Sequence, residues 1–377
     1  MGVGGGEQYA VGVATPVYFV QSVQVTKEAE WATDKQEKSV VDVYKDSFKI
    51  NLKAFRKNLD GLASCSSGAG DLSYVSVTPA TTVGQNYLQV ENANVFQAGC
   101  TYQVLPSIGA SARGNITVHT VDLANNILYL VEETGAYYPS GTIEGDILVV
   151  FGASGTATND YTADAYTTAN VAASLNGIPA INDSSESGVW FGIPKTDWPG
   201  VLNAEYIDGS MGALTPNMIL GLQSLVQRAN GADAEEMDEF IVHANVDQVT
   251  AWESLGVVGN TGNTVFHQVD DKAAGERMDV LKKERIKTLA GHDLITNVDA
   301  IRNRVDLLSL KYWFRIETKP ASLYEVDGIT AFPAYGSDGG VAPTTLFYFV
   351  TGLQIANNKP RAGAYIDTLA IPDYLGI

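Results

Sequence analysis

The period of the hydrophobic positions changes several times along the chain, and each change marks an element. Residues 15 to 25, TPVYFVQSVQV, are β-branched and aromatic with partial alternation, which predicts a strand after a glycine-rich start. From Thr33 to Leu62 the period becomes helical: Val41, Tyr44, Phe48, Leu52, Phe55, Leu59 and Leu62 recur at spacings of three and four, the buried stripe of an amphipathic helix. Lys45, Lys49, Lys53, Arg56 and Lys57 lie off that stripe. At 1.5 Å per residue such a helix reaches about 45 Å, the span of a whole subunit. The small residues Cys65-Ser66-Ser67-Gly68-Ala69-Gly70 predict its stop.

From Tyr74 to about Phe151 the period falls to two. The runs YVSVT, NYLQV, CTYQVL, NITVHTV, NILYLV and GDILVVF are separated by turn residues, the pattern of a small all-β barrel or sandwich. Asp122 to Asn126, between NITVHTV and NILYLV, predicts a hairpin turn. Residues 152 to 170 have no apolar period and predict a linker. Beyond Gly188 the texture is mixed. Thr215-Pro216 predicts a helix start, with Met218, Ile219, Leu222, Leu225 and Val226 as its buried face and Asn230-Gly231 as its end. Residues 239 to 243, EFIVH, predict a buried strand, and Asn245 caps a short helix through Trp252 to Leu255. Leu308 to Glu317 and Thr345 to Ile355 predict further strands.

Composition narrows the classes. With 377 residues, 45% hydrophobic and only 18% charged, the chain is long enough for two or three packed domains and is unlike a disordered chain or a coiled coil. No apolar run approaches the roughly 18 residues of a membrane span, and the N-terminus lacks the form of a signal peptide, so a soluble cytoplasmic chain without a membrane partner is expected. Two cysteines, Cys65 and Cys100, make no disulfide framework.

The net charge of -19 is unevenly spread. Residues 1 to 64 balance, residues 65 to 190 carry eleven acids against Arg113 alone, and bases gather at Lys272, Arg277, Lys282, Lys283, Arg285 and Lys287. Glu276, Asp279 and Glu284 interleave with that cluster, so a solvated helix or a subunit contact is its first reading and a local nucleic-acid contact its second.

Catalytic chemistry finds little support. There is no GxxxxGK[ST], GxSxG, HExxH or CxxC, and His119, His243, His267 and His292 share no metal-ligand spacing. No catalytic residue, metal or cofactor is assigned. Trp190, Phe191, Trp198 and Tyr206 could stack on a sugar or base, but aromatics closing a domain edge or a subunit contact explain them more simply.

The order of elements is a strand, a long amphipathic helix, a small-residue stop, an all-β insert, a proline-started helix, a buried strand with a capped helix, and terminal strands. It resembles the major capsid proteins of tailed bacteriophages, of the Hong Kong 97 type. Val17 to Val25 is similar to the return strand of that family's extended loop, Thr33 to Leu62 to its spine helix, and CSSGAGDL to the glycine-rich exit. LTPNMILGLQSLV with DEFIVHANVDQVTAWESL, and the C-terminal LFYFVTGLQIANNKPRAGAYIDTLAIP, resemble the helix, buried strand and capped helix and the closing strands of the peripheral domain. The period-two region resembles a β-barrel insertion that some members carry. The family's N-terminal arm and outgoing loop strand have no counterpart here, so the resemblance implies a chain that starts within that pattern.

The resemblance implies an α+β capsid fold with peripheral and axial domains. Residues 1–70 would supply the loop strand and spine helix, 71–152 the inserted barrel, 153–170 a linker, and 171–377 the axial domain and the rest of the peripheral one. It implies a non-enzymatic shell subunit whose partners are itself, in hexamers and pentamers, and packaged double-stranded DNA. Portal, scaffold or decoration proteins are further partners it admits, in the virion and, during assembly, in the host cytoplasm. Two alternatives stay open: a nanocompartment shell around a protein cargo, and a modular carbohydrate-binding protein or hydrolase with a β-rich domain.

Overall fold

The structure, a computed structural model, describes residues 12–14, 16–26, 37–79, 85–108, 110–132, 135–150, 174–186, 188–230, 240–258, 288–289, 292–335 and 341–371. The chain divides into two units: one comprises Met1–Ile178, Phe191–Ile193 and Phe314–Ala356, the other Pro179–Trp190, Pro194–Trp313 and Asn357–Ile377. The mixed α+β class expected from the sequence is the class observed.

In chain order the first unit opens with β1 (Val17–Thr26), α1 (Glu37–Cys65), β2 (Asp71–Tyr74), β3 (Tyr87–Gln89), β4 (Thr101–Leu105), β5 (Gly114–Asp122), β6 (Ile127–Leu130) and β7 (Ile147–Val150). The second supplies β8 (Glu205–Asp208), α2 (Pro216–Asn230), β9 (Phe240–Asn245), α3 (Val246–Val258), β10 (Thr288–Leu289), β11 (His292–Asn297) and β12 (Val305–Ser309). β13 (Trp313–Leu323), β14 (Phe332–Tyr335) and β15 (Val341–Asn357) return to the first unit, and β16 (Ala364–Asp367) ends in the second.

Among the described residues, two sheets build the first unit. One has the order β1-β15-β13 with β14 also on β15. β1 runs antiparallel to β15 over its whole length, from Val17 opposite Leu353 to Thr26 opposite Thr344, so the strand read as the return of an extended loop is paired with the C-terminal strand of the unit. The other sheet has the order β2-β7-β4-β5-β6-β3, with antiparallel neighbours throughout. Its two end strands are themselves linked by a bridge between Val75 and Val90 and by hydrogen bonds from the Ser76 N–H to the Gln89 carbonyl (2.9 Å) and from the Glu91 N–H to the Tyr74 carbonyl (3.0 Å). The interior of this sheet is filled by Leu88, Val90, Phe96, Tyr102, Val104, Ile116, Val118, Leu128 and Leu148.

The β5–β6 connection turns at Asp122 to Asn126, as the sequence predicts. Asp122 accepts from the N–H groups of Ala124 and Asn125 and from the Asn125 amide, and Asn126 takes a positive φ of 53°.

The second unit is a mixed six-stranded sheet of order β8-β16-β12-β9-β11-β10. One face carries α2 and α3: Ile219, Leu222 and Val226, with Val249 and Trp252, pack on Phe240, Val242, Ala244, Val305, Leu307, Ala364 and Ile366. Alternate residues of each strand supply this face, as the pleat demands. α2 begins at Pro216, whose missing N–H falls where a helix leaves donors unpaired, and α3 is capped by the Asn245 side chain, which accepts from the Asp247 N–H at 3.0 Å.

One expectation is corrected. Leu308 to Glu317 is not a single strand. β12 ends at Ser309, Leu310–Tyr312 forms a 3-10 turn, and β13 starts at Trp313. Alternation is a local signal, and it continues across a point where the chain leaves one unit for the other. The long helix runs to Cys65, three residues past its last predicted stripe position, and residues 33–36 and 152–170 lie outside the described residues.

Candidate assembly site

The longest helix among the described residues is α1, 29 residues long and about 44 Å end to end. Phe48, Leu52, Phe55 and Leu59 pack on Phe19, Val23, Leu323, Phe347 and Phe349. The aromatic contacts are specific: Phe48 stands edge-on to Phe347 (4.8 Å between ring centres) and Phe349 (5.8 Å), and Phe55 stacks on Phe349 at 6.2 Å. Leu62 is fully buried at the helix end. The structure thus gathers five of the seven predicted stripe residues into the core of the first unit; the side chains of Val41 and Tyr44 lie outside the described residues.

The other sheet of the first unit, β2-β7-β4-β5-β6-β3, is docked on the same helix. The Gln97 amide donates to the Ala54 carbonyl at 2.8 Å and to Asn58 Oδ1 at 2.9 Å, while Leu72 and Val95 lie against Gly61.

Its entry and exit strands meet where α1 stops. Ser66 Oγ accepts from the N–H groups of Gly68 and Gly70 at 3.1 Å. The returning chain pairs there, Asn176 opposite Ser67, with the Ser174 N–H donating to the Gly68 carbonyl at 2.9 Å. Gly177 crosses directly over the helix end, where an added Cβ would stand 2.5 Å from the Ser66 carbonyl oxygen and 2.6 Å from that of Leu62. Gly177→Ala is therefore expected to cost about 2–3 kcal/mol, because both obstacles are backbone and cannot step aside; a melting temperature equal to wild type would show that the crossing yields.

Asp71, at the start of β2, is buried beside this crossing. Its carboxylate accepts from the Ser67 N–H (2.8 Å), Ser67 Oγ (2.9 Å) and Ser66 Oγ (3.3 Å). Burial raises its pKa above the ordinary 3.8, outweighing the bonds from Ser67 and Ser66 that act to lower it. A raised folded pKa contributes stability that is fully present below the unfolded value and lost as pH rises through the folded one. Relative to Asp71→Asn, which cannot ionise, wild type should lose stability as pH rises from about 4 toward neutrality. Parallel stability curves for the two proteins would contradict this.

In the second unit a buried polar cluster covers the sheet face opposite α2 and α3. Asp306 Oδ1 accepts from Arg304 Nε (3.0 Å), Arg304 Nη2 (2.8 Å) and Asn182 Nδ2 (2.7 Å). Arg304 also donates to the Asn182 carbonyl and lies 3.8 Å over the Tyr365 ring. Burial pulls the guanidinium pKa down, but Asp306, together with Tyr365 and Asp367, more than offsets it, and the net shift is upward. The strap at residues 182–184 is held further by Lys195 on Asp183 (2.8 Å), by Ser184 Oγ with the Tyr365 hydroxyl (2.8 Å) and by the Ala204 N–H on the Asp183 carbonyl (3.0 Å).

The sequence reading singled out none of Asp71, Gly177, Asn182, Arg304 or Asp306. One signal was present for two of them, a base and an acid two residues apart opening the otherwise apolar run RVDLL.

The other candidates are scattered. His119 is exposed on β5, His243 is buried in β9, and His292 on β11 contacts Gln223 at 3.3 Å, its pKa lowered by burial; His267 lies outside the described residues. No group of three or more potential metal ligands occurs among the described residues. Cys65 is buried and Cys100 half-buried, with burial pushing the Cys100 thiol up. Tyr206 packs on Tyr365 at 5.0 Å. Lys272, Arg277, Lys282, Lys283, Arg285 and Lys287 lie outside the described residues. No helix among the described residues is long and apolar enough to cross a membrane.

No protein-family model matches the chain, and no curated protein does. Solved structures do, and those matched are mostly tailed-phage capsids. The chain is similar to the cyanophage A-1(L) capsid asymmetric unit, with 14% identity over 54% of this chain and 64% of that one and a TM-score of 0.36. It is similar to a virus-like particle from Pyrococcus furiosus, with 12% identity over 45% and 55% and a TM-score of 0.26. It is also similar to the satellite phage P4 procapsid including the size determination protein, with 9% identity over 99% and 79% and a TM-score of 0.39. The chain spans 55% of the length of the Pyrococcus furiosus particle chain and 64% of that of the cyanophage capsid chain.

Proposed function

We propose that this chain is the structural subunit of an icosahedral bacteriophage head, self-assembling into hexamers and pentamers that enclose double-stranded DNA. One observation carries the reading: a long helix lies along a sheet whose strands come from both the N-terminal and the C-terminal parts of the chain, with a mixed-sheet unit inserted between them. That order of elements is the one the sequence resemblance implies. A subunit of this kind works by burying area in repeated symmetric contacts and needs no catalytic group.

In the same reading, the first unit's helix and sheet form the peripheral domain and the second unit the axial one. Residues 71–152 form an inserted barrel, a reading supported by the linked end strands and by its meeting stems at Ser67 and Asn176. Its surplus of acids favours display away from packaged DNA, with Asp122 to Asn126 reachable from outside. The basic cluster from Lys272 to Lys287 is the candidate genome-facing or subunit-contact surface. Portal, scaffold or decoration proteins would be further partners in the virion.

Negative-stain imaging of the purified full chain tests the proposal. Capsomers or closed particles are expected; a monomer at every concentration would overturn it and leave the modular binding protein or hydrolase. Particles filled with protein in place of DNA would select the nanocompartment reading.

A further inference from the structure

Residues 209 to 212 form a tight turn at the end of β8, closed by the Gly212 N–H on the Gly209 carbonyl at 2.8 Å. Both central residues have positive φ, Ser210 at 49° and Met211 at 57°. A turn with that pattern ordinarily uses Asn-Gly or Asp-Gly, because a Cβ is disfavoured there. This chain makes the conventional choice elsewhere: Asp327 (φ 52°) and Gly328 (φ 80°) turn between Val326 and Ile329. At the first turn it places a methionine in the disfavoured conformation and leaves it 73% exposed. Neither backbone preference nor solvation favours that residue there.

The turn is also anchored. The Gly209 N–H donates to the Asp367 carbonyl (2.8 Å), the Met211 N–H to the Thr368 carbonyl (2.7 Å) and the Ala370 N–H to the Gly212 carbonyl (3.0 Å). The Asp208 carboxylate accepts from the Ser210 N–H at 2.8 Å and from the Thr368 hydroxyl. Thr368 itself has a φ of 55°, a third non-glycine residue held in the left-handed region within one cluster. Backbone strain fixed by so many bonds marks a surface whose shape is used. Tyr206, 40% exposed on the same strand, flanks it, and β8 ends the sheet order with β16 on its inner side.

We propose that Met211, with Tyr206 beside it, is a preformed knob that enters a contact with a second copy of this chain. The inference rests on the shell reading, in which every subunit presents the same surface to the next copy around a ring. A turn already locked in its final conformation loses little freedom on docking, so a single exposed thioether side chain gives affinity at low entropic cost. A sheet edge beside it offers further backbone groups to the neighbouring copy.

Met211→Gly and Met211→Asn test it, because both residues accept the left-handed conformation. Each variant is expected to melt no lower than wild type and yet to need at least a tenfold higher concentration to assemble, followed by light scattering and negative stain. A purely structural turn would gain stability and assemble unchanged, and that result would overturn the inference while leaving the shell reading intact. A lower melting temperature in both variants would also overturn it, by placing Met211 in its own subunit's packing. Wild type that never assembles would overturn both readings.

Discussion

Replacing Asp306 by alanine is expected to cost the second unit about 3–5 kcal/mol, because it strands a buried guanidinium without its counter-charge. Arg304 and Asp306 are 7% and 4% exposed, and a single Asp306 oxygen accepts three donors from Arg304 and Asn182. All three bonds end on an ionised carboxylate and are charge-assisted, the stronger class, and the two from Arg304 also pair opposite charges. Removing the acid also releases Asn182, whose amide otherwise retains only the Ala364 carbonyl at 2.9 Å, so the strap carrying Asp183 and Ser184 should loosen with it. The double replacement Arg304→Met with Asp306→Leu separates burial from pairing. It removes both charges together and is expected to recover most of the loss, since an apolar pair of similar volume avoids the desolvation cost. Denaturant unfolding of the three proteins measures this. An Asp306→Ala midpoint within experimental error of wild type would show that the cluster does not hold the strap.

The elements that were legible in the sequence are those whose pattern is local. The three-and-four spacing from Phe48 to Leu62 gave α1 because every turn of that helix buries the same face. Asn245 and Pro216 gave helix starts because capping is decided within three residues. The turn at Asp122 to Asn126 was legible for the same reason.

What the sequence left open was non-local. Whether β1 pairs with the 341–357 strand or with a neighbouring loop strand depends on residues more than 300 positions away, which no window of periodicity contains. The run from Leu308 to Glu317 alternates throughout, yet it serves two units, since alternation reports a pleat and not which sheet the pleat belongs to. Gly177 looked like one glycine among 37, and only the crossing over Leu62 and Ser66 distinguishes it. Met211 was invisible because an isolated methionine carries no signal until its φ and exposure are known.

Phe55→Asp should be the most damaging single change in the first unit. Phe55 is 3% exposed, stacked on Phe349 and packed with Val23 in an apolar cluster. Losing the ring costs about 3–5 kcal/mol, and an unpaired buried carboxylate adds a further penalty, together rivalling the ~5–15 kcal/mol that holds a whole domain. Phe48→Asp provides the graded comparison. Phe48 touches Phe347 and Phe349 but is only half-buried, so its carboxylate keeps partial access to water and the effect should be milder. The expected order is an insoluble or unfolded Phe55→Asp chain and a soluble Phe48→Asp chain of lowered melting temperature. In the first, the sheet would lose its cover, leaving Phe19, Phe347 and Phe349 exposed on the face α1 now protects, a surface prone to aggregation. Hydrogen exchange across residues 341–357 reports this directly: protection should fall in Phe48→Asp, because the strand's outer neighbours remain while its helix-side packing weakens. Wild-type protection and melting in Phe55→Asp would mean that the stripe does not face the sheet, and the peripheral-domain assignment built on α1 would fall with it.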